Sequence, residues 1–131
     1  MTLATVIAGV SGRMGRALVE AVAADPACTL AAALDRPGSP LIGQDPGAAF
    51  GLASSARVFD QTAEALAGAQ ALIDFTRPEA SFVYLDACVA AKVPLVIGTT
   101  GFDDAGRARI AAAAKHIPIV FAPNMSVGVT L

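Results

Sequence analysis

Short apolar runs alternate with segments of helical periodicity along this chain, and this alternation constrains its fold more than any other feature. Apolar runs typical of buried strands occur at residues 3–8, 29–34, 71–75, 93–97 and 117–121, with a weaker run at 57–59. Strands that are separated by helices pair in parallel, because the connecting helices form right-handed crossovers. The sequence therefore predicts an α/β fold: a doubly wound parallel sheet of about six strands, in a three-layer αβα arrangement.

Helix boundaries are predicted from capping and turn residues. The helix after the first apolar run begins at Arg13 and is stopped by the Asp-Pro pair that follows it. Pro78 suits the first position of a later helix, and Asp103 or Asp104 is predicted to cap the last one. Residues 36–56 carry Gly, Pro and Ser at close intervals, which predicts a long loop.

Composition and charge restrict the class of protein. Hydrophobic residues make up 55% of the 131 residues and charged ones 15%, which suits one domain whose sheet is covered on both faces. No apolar run approaches the roughly 20 residues that cross a bilayer, and the N-terminus lacks the features of a signal peptide. We therefore expect a soluble, cytoplasmic protein without a membrane partner. The net charge of −2 argues against a nucleic-acid partner.

Three evenly spaced glycines follow the first predicted strand and open the first helix. In this context Gly9 permits a tight turn, Gly12 lets the backbone approach a pyrophosphate, and Gly15 lets the helix pack on the strand. Arg13 and Arg16 add positive charge to a helix N-terminus that already favours anions. The first two glycines are one residue further apart than in the usual dinucleotide pattern. The pattern predicts a Rossmann-like nucleotide-binding turn, with an ordinary strand–helix turn as the alternative.

The end of the second predicted strand supports the nucleotide interpretation. Asp35 lies 20 residues after Gly15, where a carboxylate accepts hydrogen bonds from the adenine-ribose hydroxyls of a dinucleotide. Arg36 follows and can pair with a 2′-phosphate. The two side chains together predict that both NADH and NADPH bind, with affinities within about a hundredfold of each other. The alternative is a plain Asp-Arg-Pro-Gly turn.

The carboxyl ends of parallel strands lie at one edge of a sheet, and ligands bind there near the point where the strand order reverses. Five predicted loops with glycine, hydroxyl, amide or charged residues leave the strands at this edge, at residues 9–15, 35–36, 75–78, 98–102 and 122–125. Residues 98–101, Gly-Thr-Thr-Gly, are predicted to bring backbone amides and hydroxyls close to a flat polar ligand such as nicotinamide. Asn124 matches a carboxamide, because its side chain both donates and accepts.

Other residues that could carry chemistry are predicted to be structural. Cys28 and Cys88 have no Cys-x-x-Cys spacing and are expected to be reduced, buried small hydrophobes, so no metal or disulfide site is predicted. His116 precedes the last strand and therefore lies at the opposite sheet edge. Tyr84 falls in mid-helix and is expected to pack. Asp74 has two possible roles: it orients the loop that follows it, or it touches the ligand.

Four motifs, in this order, make the chain resemble the 4-hydroxy-tetrahydrodipicolinate reductase (dihydrodipicolinate reductase) family over its whole length. They are Gly-Val-Ser-Gly-Arg-Met-Gly-Arg at 9–16, Ile-Asp-Phe-Thr-Arg-Pro-Glu at 73–79, Val-Ile-Gly-Thr-Thr-Gly-Phe at 96–102 and Asn-Met-Ser-Val-Gly at 124–128. The resemblance implies a reductase on the diaminopimelate route to lysine. It assigns NADH or NADPH contacts to Gly9, Val10, Ser11, Gly12, Arg13, Met14, Asp35, Arg36, Gly98, Thr99, Thr100, Ala122, Pro123, Asn124 and Met125. Pro123 and Met125 are at positions that vary in the family.

The resemblance also implies what residues 1–131 do not contain. In the family, a second domain carries a catalytic histidine and lysine motif, binds the dicarboxylate substrate and builds a homotetramer. We therefore expect a dinucleotide-binding domain truncated at the start of this second domain, with no catalytic residue of its own. Such a chain binds cofactor, turns over little or no substrate, and is a monomer or a weak dimer with apolar residues exposed around 127–131.

Two other functions fit a domain of this fold, because a nucleotide site alone does not establish a reaction. One is a non-catalytic module that senses NAD(H). The other is a coenzyme A-binding domain, which Asp35 disfavours, because its carboxylate would repel the ribose phosphate of that ligand. Arg36 weakens this objection.

Overall fold

The computed structural model describes residues 2–48, 51 and 55–122, and a parallel sheet organises them. The strands are β1 (Leu3–Ala8), β2 (Cys28–Leu34), β3 (Val58–Phe59), β4 (Ala71–Asp74), β5 (Leu95–Ile97) and β6 (Ile119–Phe121). The helices are α1 (Arg13–Ala24), α2 (Thr62–Leu66), α3 (Pro78–Ala91) and α4 (Asp104–Ala113). Each predicted strand is confirmed, as are the predicted helices, including a short one that helical spacing predicts at residues 62–67 and that forms α2. β5 and β6 begin just after Pro94 and Pro118, which lack the N–H that a strand ladder needs.

The sheet has the order β3-β2-β1-β4-β5-β6, and every neighbouring pair is parallel. The chain adds strands outward from β1 in one direction and then returns to add β4, β5 and β6 in the other. The order therefore reverses between β1 and β4, which is the doubly wound, Rossmann-like topology. A crevice at the carboxyl ends of these two strands is where such sheets bind ligands.

Helices cover the two faces of the sheet unequally. Helix α1 packs on one face through Val19 and Val22, and α2, α3 and α4 pack on the other, where Leu72, Leu85 and Leu95 are almost completely buried. The central strand β1 has fully buried side chains on both faces, as its apolar run predicts. The predicted three-layer αβα arrangement is confirmed.

The predicted long loop between β2 and β3 contains neither α-helix nor strand in its described residues. It is nevertheless anchored to the fold, because the backbone of Gly43 donates to Val58 and Val58 donates to Gln44, at 2.8 and 3.0 Å. Leu41 and Ile42 pack on the same core as α1. This loop thus covers part of the α1 face of the sheet. Within the described part of the chain, no helix is long and apolar enough to cross a membrane.

Candidate functional site

The loops that follow β1, β2, β4 and β5 leave the sheet at its carboxyl edge, as predicted. Ala122 follows β6 at this edge and donates its backbone N–H to Ile97 at 2.9 Å. Three further residues of the predicted site, Pro123, Asn124 and Met125, lie outside the described residues, as does the expected apolar surface at 127–131.

Two glycines of the first loop are required by the protein itself. Gly9 has a φ of +78°, and a Cβ on it would lie 2.6 Å from the Thr76 side chain. A Cβ on Gly15 would lie 2.0 Å from the carbonyl oxygen of Gly9, so α1 packs directly on the turn. The backbone N–H groups of Gly9 and Val10 both donate to Leu34, at 2.8 and 3.2 Å, and fix the turn to β2. The predicted roles of Gly9 and Gly15 are confirmed.

Gly12 differs, because the protein leaves room for a side chain there. A Cβ on it would meet only the Gly9 carbonyl oxygen, at an ordinary contact distance of 3.4 Å. Gly12 is the N-cap of α1, no side chain caps this helix, and its first turn contains no acidic residue. Arg13 and Arg16 are exposed in the same turn and Met14 is half-buried. The N–H groups and positive dipole end of α1 therefore face no carboxylate from their own turn, an arrangement that favours an anion.

Asp35 presents one unpaired oxygen at the end of β2. The residue is only 6% exposed, and its Oδ1 accepts a hydrogen bond from the Ser11 hydroxyl at 2.9 Å. Its Oδ2 is buried and has no hydrogen-bond partner among the residues that the structure describes. Arg36 is exposed, with Nη1 4.0 Å from this oxygen and 3.4 Å from the Ser11 hydroxyl. A buried carboxylate oxygen without a donor is costly, so this geometry suits a ligand hydroxyl.

Ser11 has a role that sequence reasoning missed. It was assigned to the site as a member of the glycine loop, but its hydroxyl holds the Asp35 carboxylate in place across 24 positions of sequence. The loop and the acid are therefore one unit. Only the parallel pairing of β1 with β2 brings them together.

Asp74 lies at the end of β4 and is completely buried. Its Oδ1 accepts from the backbone N–H of Thr76 at 3.0 Å and from the Thr76 hydroxyl at 2.5 Å, and its Oδ2 accepts from the Ser81 hydroxyl. Burial raises the pKa of the carboxyl, although hydrogen bonds from Ser81, Thr76 and Thr99 oppose this shift. Of the two predicted roles, orientation of the following loop is confirmed, and Asp74 has no surface with which to touch a ligand.

The Gly-Thr-Thr-Gly loop after β5 corrects one prediction. Thr99 is 2% exposed, and its hydroxyl lies inside the protein, within 3.0 Å of the Thr76 backbone N–H and 2.9 Å of the Ser81 hydroxyl. The expectation that this hydroxyl faces a ligand is wrong, because the side chain turns under α3. Thr100 and Gly101 are exposed, whereas Gly98 and Thr99 are buried, so the second half of this loop is the part that lies at the surface.

Glycine is required at position 98 by packing inside the protein. A Cβ on it would lie 1.9 Å from the ring of Phe75, so the aromatic ring occupies the space of the missing side chain. The ring therefore lies against the loop that follows β5. An aromatic residue at the end of one strand and a glycine at the end of its neighbour are the only sequence signal for this contact.

The remaining candidates lie where structural roles predict them. His116 is exposed after α4, and Tyr84 is buried in α3, where burial raises its pKa to about 12. Cys88 is buried and Cys28 half-buried, and neither is in a disulfide. The described residues contain no group of three His, Cys, Asp or Glu side chains that could hold a metal ion.

The chain matches known proteins both by family and by sequence identity. Residues 3–125 match the family described as "Dihydrodipicolinate reductase, N-terminus". The 4-hydroxy-tetrahydrodipicolinate reductase of Thiobacillus denitrificans is 70% identical over 131 residues, which are all of this chain and 49% of that protein. The enzyme of the same name from Laribacter hongkongensis is 60% identical over 129 residues, 98% of this chain and 48% of that protein. The chain thus spans about half the length of the curated relatives it matches.

Solved structures support the same grouping. A dipicolinate-bound dihydrodipicolinate reductase from Paenisporosarcina sp. TG-14 superposes with a TM-score of 0.77 at 26% identity, over 98% of this chain and 49% of the other. GenD2 from gentamicin A biosynthesis, solved with NAD, has a TM-score of 0.74 at 24% identity, over 94% of this chain and 35% of the other, and shows only the shared fold. Because nearly the whole chain matches, the chain belongs to the dihydrodipicolinate reductase family and corresponds to the N-terminal domain of that family.

Proposed function

We propose that this chain is the NAD(P)H-binding domain of a reductase that forms tetrahydrodipicolinate from 4-hydroxy-tetrahydrodipicolinate, on the diaminopimelate route to lysine. The observation that carries the cofactor assignment is the buried Asp35 Oδ2, which has no donor among the described residues. A ribose hydroxyl supplies the missing donor. Gly12 supports the same assignment, because its open space and the uncapped start of α1 fit a pyrophosphate.

The proposed site divides the cofactor between the two halves of the sheet. The adenosine ribose binds Asp35, which Ser11 orients, and the pyrophosphate binds the backbone of Gly9–Met14 beside Arg13. The nicotinamide half binds the backbone of Gly98–Thr100 and residues 122–125, of which Ala122 is described. The bound cofactor supplies the hydride. The residues of this chain bind and orient it.

Asp35 and Arg36 together support use of both NADH and NADPH. The carboxylate favours a 2′-hydroxyl and disfavours a phosphate. The Arg36 guanidinium is exposed and lies within 4.0 Å of Asp35, where it can turn toward a 2′-phosphate. We therefore propose NADH and NADPH affinities within about a hundredfold of each other.

The activity of the whole protein lies beyond what these residues hold. We propose that the proton donor, the dicarboxylate site and the surfaces of a cytoplasmic homotetramer belong to the half of the relatives that this chain does not match. The dipicolinate held by the Paenisporosarcina structure, of which this chain covers 49%, supports a dicarboxylate substrate. On this proposal the 131 residues alone bind cofactor as a monomer or a weak dimer and reduce little or no substrate.

Titration of the chain with NADH, NADPH and coenzyme A, followed by calorimetry, tests the cofactor assignment. We expect both nicotinamide cofactors to bind and coenzyme A to bind far more weakly. Asp35→Asn should weaken NADH binding about tenfold or more, because it removes a charged acceptor from a ribose hydroxyl. Asp86→Asn is the matched control, since Asp86 is exposed on α3 and pairs with Arg109 at 3.0 Å.

Four results would contradict the proposal or a part of it. Preference for coenzyme A, or no binding of either nicotinamide cofactor, would overturn the cofactor assignment. Unchanged NADH affinity in Asp35→Asn would remove Asp35 from the site. NADH and NADPH affinities that differ by far more than about a hundredfold would refute only the shared use of both cofactors.

A further inference from the structure

The loops after β4 and β5 are joined to each other by a buried cluster of four side chains. We name Asp74, Thr76, Ser81 and Thr99 the Asp74 cluster. Asp74 accepts from Thr76 and Ser81, and the Thr99 hydroxyl lies within hydrogen-bond distance of the Thr76 backbone N–H and the Ser81 hydroxyl, at 3.0 and 2.9 Å. The cluster thus connects the end of β4, the first turns of α3 and the loop that begins at Gly98.

The hydrogen bonds of the cluster converge on the carboxyl group of Asp74. Three donors point at the Asp74 oxygens: the backbone N–H and hydroxyl of Thr76 and the hydroxyl of Ser81. An ionised carboxylate only accepts, so it satisfies all three. A carboxamide keeps one acceptor oxygen but replaces the other with an NH₂ group. The Ser81 hydroxyl would then have to accept from this NH₂ and donate to Thr99, which changes the hydrogen bonds that join the two loops.

The other half of the proposed site is held by a separate set of hydrogen bonds. Gly9 and Val10 donate to Leu34, and Asp35 is held by the Ser11 hydroxyl and by its own N–H to Phe59. None of these bonds involves the Asp74 cluster. The two sets are neighbours where Ala8 pairs with Asp74 between β1 and β4 and where the methyl group of Thr76 packs against Gly9.

We propose that Asp74 is a positioning residue that sets the loops after β4 and β5 for the nicotinamide half of the cofactor and has no effect on the adenosine half. This inference rests on the proposed function. Asp74 acts through Thr76 and Thr99 and touches no part of the cofactor itself. The loop that begins at Gly98, whose exposed part is Thr100 and Gly101, is the segment that it positions.

Two ligands of the same site test this division. NADH contains both halves of the cofactor, whereas ADP contains the adenosine and the pyrophosphate but lacks the nicotinamide ribose and ring. In the 131-residue chain, Asp74→Asn should weaken NADH binding tenfold or more and change ADP binding less than twofold. Thr99→Val should have the same selective effect, because it keeps the shape of the side chain and removes the hydroxyl. Thr99→Ser keeps the hydroxyl and should therefore bind NADH about as tightly as the unaltered chain.

Two controls separate this role from a general loss of structure. Asp86→Asn changes an exposed acid on the same helix and should leave both affinities unchanged. Asp35→Asn should weaken ADP and NADH together, which is the opposite pattern. If Asp74→Asn does not fold, the Thr99→Val and Thr99→Ser pair decides the matter, since Val and Thr have nearly the same shape.

Each outcome bears on a different statement. Selective loss of NADH binding supports the positioning role. Equal loss of NADH and ADP binding, or no loss of either, overturns it while the cofactor assignment stands. If the unaltered chain binds neither NADH nor ADP, the proposed function is overturned, and the positioning role falls with it.

Discussion

At the scale of single residues, the three evenly spaced glycine positions of the first loop differ in what the fold requires of them. Gly9 needs a positive φ, and Gly15 needs the absence of a side chain because a backbone carbonyl occupies its space. Gly12 needs neither and is open to the surface. Two of the glycines therefore serve the fold, and the third, on the proposed function, lets the pyrophosphate approach the backbone.

This difference predicts opposite effects of the same substitution. Gly15→Ala should destabilise the chain by about 2 kcal/mol or more, because its Cβ would lie 2.0 to 2.9 Å from backbone atoms of Gly9 and Val10 that cannot move aside. Gly12→Ala should cost about 1 kcal/mol or less in stability. Urea denaturation measures the free energy of unfolding of both variants. Equal losses of stability in Gly15→Ala and Gly12→Ala would contradict the different roles given to the two glycines. On the proposed function, Gly12→Ala should lose cofactor affinity instead.

At the scale of elements, α4 shows how one cap places a helix against its neighbour. Asp103 is the N-cap, and its Oδ1 accepts from the backbone N–H of Gly106 at 2.8 Å. A Cβ on Gly106 would lie 3.1 Å from the Phe82 ring of α3 and 3.2 Å from the Phe102 ring. The cap thus fixes the first turn of α4 where it packs tightly against two aromatic rings.

Asp103→Ala should therefore destabilise the chain by about 1 kcal/mol, which is typical of a lost N-cap. The neighbouring Asp104→Ala is the matched control. Asp104 is fully exposed and pairs with Arg107 at 2.7 Å, and surface ion pairs contribute little. Thermal unfolding should rank the loss at Asp103 above the loss at Asp104. The reverse order would show that the ion pair, and not the cap, holds the start of α4.

At the scale of the whole molecule, one buried carboxyl links global stability to pH. Burial raises the pKa of Asp74 above its ordinary value of 3.8, so the native state binds this proton more tightly than the unfolded chain does. The resulting stabilisation is fully present below the unfolded pKa and is lost as the pH rises through the raised native pKa. The Asn side chain of Asp74→Asn does not titrate, so this pH-dependent contribution is absent from the variant. The free energy of unfolding of the unaltered chain, minus that of Asp74→Asn, should therefore fall as the pH rises from 4 toward 7. Urea titrations at several pH values measure this difference, and one that stays constant with pH would contradict the shift.

The parts of the molecule that sequence reasoning found are those with a local signal. Apolar runs predicted the bounds of every strand to within about two residues, and capping residues predicted where α1, α3 and α4 begin, because period and capping are properties of neighbouring residues. The same holds for the Asp103 cap and for the turn at Gly9. Asp35 was predicted from its distance along the chain after Gly15, which depends on the lengths of one helix and one strand.

The sequence by itself determined the elements, the doubly wound class and the edge of the sheet at which the polar loops gather. Only the tertiary structure decided which polar atoms face inward and which stay open. Ser11 reaches Asp35 across 24 positions, and Thr99 reaches Ser81 across 18. Such contacts depend on strand order and on how each helix packs, both of which are long-range properties. The physical reason is burial, since a buried polar atom needs a partner. The Thr99 hydroxyl finds its partners inside the protein, whereas the Asp35 Oδ2 has none among the described residues and, on the proposed function, receives one from a ligand.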